Sequence, residues 1–210
     1  MTKFKAFLKR KDIEVSAKRY GIDALSAMAQ GLFCSLLIGT IINTIGTQFG
    51  IPYLNTVGGF ATAMSGPAMA IAIGYALKAP NLVLFSLAAV GGAANQLGGA
   101  GGPLVIAILA AEIGKMVSKE TKIDLLVTPF VTIFSGVVLS SLLAPGIGAV
   151  ASSVGTLIMW ATELQPFLMG ILVSVVVGMA LTLPISSAAI CAALSLTGLA
   201  GGAAVAGCCA

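Results

Sequence analysis

The sequence contains a series of apolar segments, each close to the length that crosses a lipid bilayer. The first runs from Ala24 to Ile45 and contains no charged residue. About 20 consecutive apolar residues suffice to span a bilayer as a helix. Only 9% of all residues are charged, against about 25% in a typical soluble domain. So little charge cannot cover a water-facing surface, and we predict an integral membrane protein.

The continuity of these segments indicates helices, because the strands of a membrane barrel would alternate apolar and polar residues over about ten positions. Further spans are predicted at 58–77, 81–97, 103–117, 125–143 and 167–194. The predicted fold is therefore an all-α polytopic bundle of about six to seven spans, with broken or re-entrant helices and amphipathic helices.

The segment 145–163 leaves the span count open. Ile147, Val150, Val154 and Ile158 form one apolar stripe, and serines and threonines lie off it. This pattern favours an amphipathic helix at the outer surface or packed on a partner, with Trp160 at the level of the lipid headgroups. A seventh span is the alternative.

Basic residues are concentrated near the N-terminus, where seven of the eleven lie within the first 19 positions. The predicted spans place the other four, Lys78, Lys115, Lys119 and Lys122, on the same side of the membrane. Basic residues favour the cytoplasmic side, so we expect a cytoplasmic N-terminus. Residues 1–22 are predicted to form a basic amphipathic interfacial helix that contacts the lipid bilayer, without a cleavable signal peptide, and residues 23–210 the membrane domain. This distribution indicates topology, not nucleic-acid binding.

A glycine-rich break, AANQLGGAGGP, interrupts the apolar sequence at 93–103. Glycine and proline disfavour a continuous helix, and backbone groups freed in hydrocarbon need protein or water partners. Two carboxamides stand beside the break, so we predict that it contacts a small polar solute. The predicted substrate-binding residues here are Asn95, Gln96, Gly98, Gly99, Gly101 and Gly102. A tight external turn between two short spans is the alternative.

The apolar sequence is interrupted at two further places, 182–187 and 62–67. At each of them hydroxyl residues stand close to a proline. Broken helices in pairs are typical of transporter substrate sites. The predicted binding residues at these places are Thr182, Pro184, Ser186 and Ser187, and, as a weaker example, Thr62 and Ser65. A proline kink whose carbonyls accept bonds from Ser and Thr is the alternative for the first of the two.

The sequence shows no catalytic constellation and no metal-ligand spacing. It contains no His, and its four cysteines, Cys34, Cys191, Cys208 and Cys209, lie in apolar segments without ligand spacing. We therefore expect no catalytic residue, no metal and no cofactor in this chain. Glu112 and Lys115 are predicted to form a solvated interfacial pair, and a coupling-ion carboxylate is the alternative for Glu112.

The stretch 124–194 resembles the membrane component, IIC, of bacterial phosphotransferase-system sugar transporters, the fructose type above all. The residues that carry the resemblance are LLVTPFVTIFSGVVLSSLLAPGIGAVASSVGTLIMW and PFLMGILVSVVVGMALTLPISSAAI. The N-terminal SAKRYGIDALSAMAQGLF is similar to stand-alone IIC-like proteins that include the perfringolysin O regulator. The resemblance implies a homodimeric sugar permease of the bacterial inner membrane. A membrane-bound regulator or sensor without transport, or a secondary transporter of another solute, is the alternative.

The chain also departs from the family pattern. Where fructose-type domains place an acidic residue and Asn-Lys, this chain has Thr182, Leu183 and Ser186-Ser187. The later Glu-containing motif is absent, so we expect a domain that is cut short at its C-terminus. The phosphoryl-carrying Cys and His of the IIB and IIA components are absent too. The resemblance therefore implies that a separate IIB protein supplies the phosphoryl group.

Overall fold

The computed structural model describes residues 7, 8, 10–13, 16–99, 102–164 and 166–182, and these residues fold into helices joined by short turns. The helices are α1 (Lys18–Gln48), α2 (Pro52–Ala63), α3 (Ser65–Ala76), α4 (Asn81–Gly98), α5 (Gly102–Val117), α6 (Asp124–Leu164) and α7 (Pro166–Thr182). The predicted all-α membrane fold is confirmed.

The number of spans is not confirmed. Within the described residues, Lys18–Gln48 and Asp124–Val150 are long and apolar enough to cross a membrane, and α2 with α3 would make a third span, bent by 43°. Helices α4 and α5 have 18 and 16 residues. At 1.5 Å per residue they measure about 27 and 24 Å, slightly less than the roughly 30 Å hydrocarbon core.

Small residues let the first three helices approach closely. A Cβ atom on Gly39 of α1 would lie 2.9 Å from the carbonyl oxygen of Gly58 on α2, and one on Gly31 would lie 2.6 Å from the carbonyl oxygen of Ala68 on α3. Such contacts are typical of membrane helices, whose association depends on close packing rather than on a hydrophobic driving force. The second half of α1 thus packs on α2, and its first half packs on α3.

The core lies among α1, α3, α4 and α5, where large apolar side chains are almost completely buried. They include Met28, Met69, Ile73, Leu77, Val83, Leu87, Val90 and Ile106. Helix α6 packs against both α4 and α5. Ser65, at the start of α3, and Asn95, near the end of α4, stand on helices that contribute to this core.

Helix α6 corrects the prediction of a separate helix starting at Pro145. It runs without interruption through Pro129 and Pro145 for 41 residues. At about 60 Å it is roughly twice as long as the hydrocarbon core is thick. At Gly148 it still lies against the bundle, where an added Cβ atom would be 2.9 Å from the carbonyl oxygen of Gly98. Farther along, Trp160 is exposed, together with the polar residues predicted to lie off the apolar stripe.

The N-terminal segment is not the single helix predicted for residues 1–22. Phe7, Leu8 and Arg10 are helical, and the chain then turns at Lys11 and Asp12. Asp12 has a φ of +53°, which ends the helical geometry. The next long helix, α1, starts at Lys18 and continues past residue 22.

Candidate functional site

The glycine-rich stretch contains the end of α4 and the start of α5. Helix α4 ends at Gly98, and Gly99 has φ +61° and ψ −161°, a conformation that is essentially restricted to glycine. Helix α5 begins at Gly102. The predicted site residue Gly101 lies outside the described residues. Helices α4 and α5 pack against each other as a helical hairpin, and the solute contact predicted for this stretch stays a prediction.

Gly98 at the end of α4 and Gly102 at the start of α5 are packing residues. A Cβ atom on Gly98 would lie 2.5 Å from the carbonyl oxygen of Ala144 on α6. One on Gly102 would lie 2.4 Å from the carbonyl oxygen of Ala94 on α4. Both glycines are buried, so they hold the hairpin against α6 directly before Pro145.

Two residues predicted from separate breaks come together. The Asn95 side-chain amide donates to the hydroxyl oxygen of Ser65 at 3.5 Å, which is at the long limit for a hydrogen bond. Ser65 is the first residue of α3, directly after the bend at Met64. The structure therefore joins a hydroxyl and a carboxamide where one helix begins and another nears its end.

This polar contact depends on a close approach of α3 and α4. A Cβ atom on Gly66 would lie 2.4 Å from the carbonyl oxygen of Gly91 and 2.5 Å from the Cβ of Asn95. Only glycine leaves room for the backbones at this distance. Gly66 and Pro67 after Ser65 therefore mark the break in the helix, and Gly66 also allows α3 and α4 to pack closely.

Of the other predicted polar site residues, Gln96 and Thr62 do not join this pair. Gln96 is exposed and forms no hydrogen bond within the described residues. Thr62 donates to the carbonyl oxygen of Gly59 in its own helix. Thr182 is the last residue of α7, and its side chain is not described. Pro184, Ser186 and Ser187 lie outside the described residues.

A buried ionic network at one end of the bundle was not predicted. The Lys115 side chain is only 2% exposed. Its ammonium donates to the carbonyl oxygens of Asp12 at 2.7 Å and Leu77 at 3.0 Å, and lies 3.6 Å from the Glu112 carboxylate. The expectation of a solvated Glu112–Lys115 pair is therefore wrong. A cation at the C-terminal end of α3 is favourable, because it meets carbonyls that lack a partner in the helix.

The N-terminal segment completes this network. Arg19 donates to the Asp12 carboxylate at 2.9 Å and to the carbonyl oxygen of Leu77 at 2.8 Å. The hydrogen bond from Arg19 holds the pKa of Asp12 below its ordinary value. Arg10 and Lys11 pair with Glu120. These contacts tie the segment before α1 to the ends of α1, α3 and α5.

Sequence reasoning also missed a groove of about 780 Å³ between the first half of α1 and α3. Its polar lining includes Asp23, Ser26 and Gln30 on α1 and Tyr75 on α3. The signal in the sequence was the spacing of the three α1 residues, which is i, i+3 and i+7 and places them on one helix face. A polar face on an apolar helix indicates a partner or an aqueous cavity.

A family model described as "Phosphotransferase system, EIIC" matches residues 22–210. No curated protein and no solved structure shows significant similarity to the chain. The matched range covers nearly the whole sequence, including α2 to α7 and all but the first four residues of α1. The chain therefore belongs to the EIIC family of the phosphotransferase system, a family of membrane sugar-transport components.

Proposed function

We propose that this protein is a IIC-type permease that translocates a sugar, or a similar polar solute, across the bacterial inner membrane. Family membership supports the transport role. The gathering of Arg10, Lys11, Lys78, Lys115 and Lys119 around one small pocket of about 390 Å³ supports a common side for the basic residues. By the preference of basic residues for the cytoplasm, that side and the N-terminus are cytoplasmic.

The observation that carries the proposal is the contact between Asn95 and Ser65. A carboxamide has two donors and two acceptor positions, and a hydroxyl has one donor and two. At 3.5 Å their mutual bond is weak, so a solute hydroxyl can replace it at little cost. Gln96 on the same turn, the glycines of the hairpin, and Thr182, Pro184, Ser186 and Ser187 complete the proposed site.

Phosphorylation of the solute depends on a separate IIB-type protein in this proposal, because the chain has no His and its four cysteines stand in apolar segments of the sequence. Lys78 and Lys119 are exposed at the basic end and offer a docking surface for such a partner. The likeness to fructose-type domains makes fructose the first solute to try. Leu157, Trp160 and Phe167 are exposed on α6 and α7 and are the proposed contact of a homodimer.

Replacing Asn95 by Ala will weaken solute binding and leave the fold intact. A lost hydrogen bond is worth about 0.5–1.5 kcal/mol, which corresponds to a roughly two- to tenfold lower affinity. Binding of labelled fructose, glucose and mannitol to the purified protein measures the effect. Gln96→Ala is expected to change affinity in the same direction.

Asn55→Ala is the matched control, because Asn55 accepts from the Thr47 hydroxyl at the same 3.5 Å, on α2 and α1. Its affinity should equal that of the unmodified protein. If Asn95→Ala, Gln96→Ala and the control bind the sugars with equal affinity, the stretch is only a connection between helices and is not part of the proposed site.

A further inference from the structure

The first half of α1 has a polar face in a helix that is otherwise apolar. Asp23, Ser26, Gln30 and Cys34 follow one another along this face and line the groove against α3. Asp23 and Gln30 are exposed. Within the described residues, the side chains of Asp23, Ser26 and Gln30 form no hydrogen bond. Their donors and acceptors are thus free to bind something else.

The position of these residues along α1 makes their lack of hydrogen-bond partners significant. Gln30 lies twelve positions after Lys18 in α1, or about 18 Å along the helix axis. A carboxamide facing hydrocarbon without a partner is costly. Polar side chains within spans almost always face the bundle interior or a water-filled cavity. Water or a polar ligand is therefore the expected content of the groove.

The opposite wall offers space and an aromatic surface. Ala68 and Ala72 on α3 are small, and the Tyr75 side chain is 76% exposed. The volume of about 780 Å³ falls within the roughly 300–1,000 Å³ of ligand pockets. A carboxylate and a carboxamide can bind hydroxyls, and an aromatic face packs against the C–H surface of a ring. Together these groups suit a polyhydroxylated solute.

We propose that the groove between α1 and α3 is a binding site for a polyhydroxylated solute, in which Asp23 and Gln30 hydrogen-bond its hydroxyls and Tyr75 packs on its ring. This site is separate from the Asn95–Ser65 contact. Ala68 at its inner end nevertheless belongs to the first turn of α3, which begins at Ser65. The existence of a polar site does not depend on the proposed permease function; only the choice of sugars as probes does.

Cys34 allows a direct test, because it lines the groove and is exposed. It lies sixteen positions after Lys18, about 24 Å along the helix. A charged, water-soluble methanethiosulfonate can react there only if water reaches the groove. The test uses the full chain in lipid vesicles, with Cys191, Cys208 and Cys209 replaced by Ala. In the control, Cys34→Ala is combined with Leu37→Cys, which is exposed on α1 but does not line the groove.

We expect Cys34 to react and Leu37→Cys to remain unlabelled. Millimolar fructose, glucose or mannitol should slow the reaction of Cys34. In Asp23→Ala and in Gln30→Leu, half-maximal protection should need a roughly two- to tenfold higher concentration of the same sugar.

Two results would overturn the proposal. An unreactive Cys34 would mean that lipid or a second protein surface covers the groove. Labelling that none of the three sugars slows would mean that the groove is aqueous but not a site for such solutes. Binding at Asn95 is measured separately, so a failed groove site and a failed permease hypothesis give different results.

Discussion

Replacing Lys115 by Met will destabilise the folded protein by about 3–5 kcal/mol, which is typical when one partner of a buried ion pair is removed. The loss leaves the Glu112 carboxylate without its cation and removes a donor from the carbonyls of Asp12 and Leu77. The free energy of unfolding of the protein in detergent micelles, measured by denaturant titration, tests this expectation.

Lys119→Met is the matched control, since Lys119 is exposed four residues farther along the chain. Its free energy of unfolding should change by less than about 0.5 kcal/mol, as for other surface substitutions. Adding Glu112→Gln to Lys115→Met should recover part of the loss, because the uncompensated charge is then gone. A change below about 1 kcal/mol in Lys115→Met would show that the network does not hold the bundle end together.

Replacing Gly66 by Ala will force α3 and α4 apart and lower stability by about 1–3 kcal/mol, the usual cost of overpacking. The new Cβ atom would meet the carbonyl oxygen of Gly91 at 2.4 Å and the Cβ of Asn95 at 2.5 Å. Both lie on α4, which must move. The Asn95–Ser65 contact would then lengthen, so sugar affinity should fall together with stability.

Gly59→Ala is the control for this change, because a Cβ atom at Gly59 meets nothing within 4 Å. In a helix interior Ala is favoured over Gly by about 0.8–1.0 kcal/mol, so this variant should be at least as stable as the unmodified protein. Equal stability of Gly66→Ala and Gly59→Ala would contradict the close crossing of α3 and α4.

The sequence predicted the helical membrane fold because charge is excluded from the segments that enter hydrocarbon. It did not predict the continuity of α6 through Pro145. In water a proline usually ends a helix, but lipid offers no other partner to the backbone, so neighbouring groups adapt and the helix continues. The predicted count of six to seven spans arose because each apolar segment was treated as a separate span that ends at a proline or a polar residue.

The candidate site was predictable as a set of residue types but not as a geometry. Ser65 and Asn95 were each found through a nearby break in the apolar sequence, and the fold brings them together. Gln96 was chosen for its position beside Asn95, yet one step along a helix rotates the side chain by about 100°, and Gln96 is exposed.

Lys115 shows that the spacing of residues along one helix does not predict their contacts with distant parts of the chain. Its spacing from Glu112 predicted the ion pair, which is present. Its burial depends on the carbonyls of Asp12 and Leu77, which lie 103 and 38 positions away. Contacts of that range follow from the packing of α3 against α5 and from the turn at Asp12, and neither leaves a periodic signal in the sequence.

Exchange of labelled sugar across vesicles that contain only this protein measures the proposed translocation itself. Vesicles are loaded with unlabelled fructose, glucose or mannitol, and the entry of the labelled form of the same sugar is followed. The proposed permease predicts saturable exchange with at least one of the sugars, above that of protein-free vesicles and slower in Asn95→Ala than in Asn55→Ala. Binding of a sugar without any exchange would contradict it, and would assign the chain to the regulators or sensors instead.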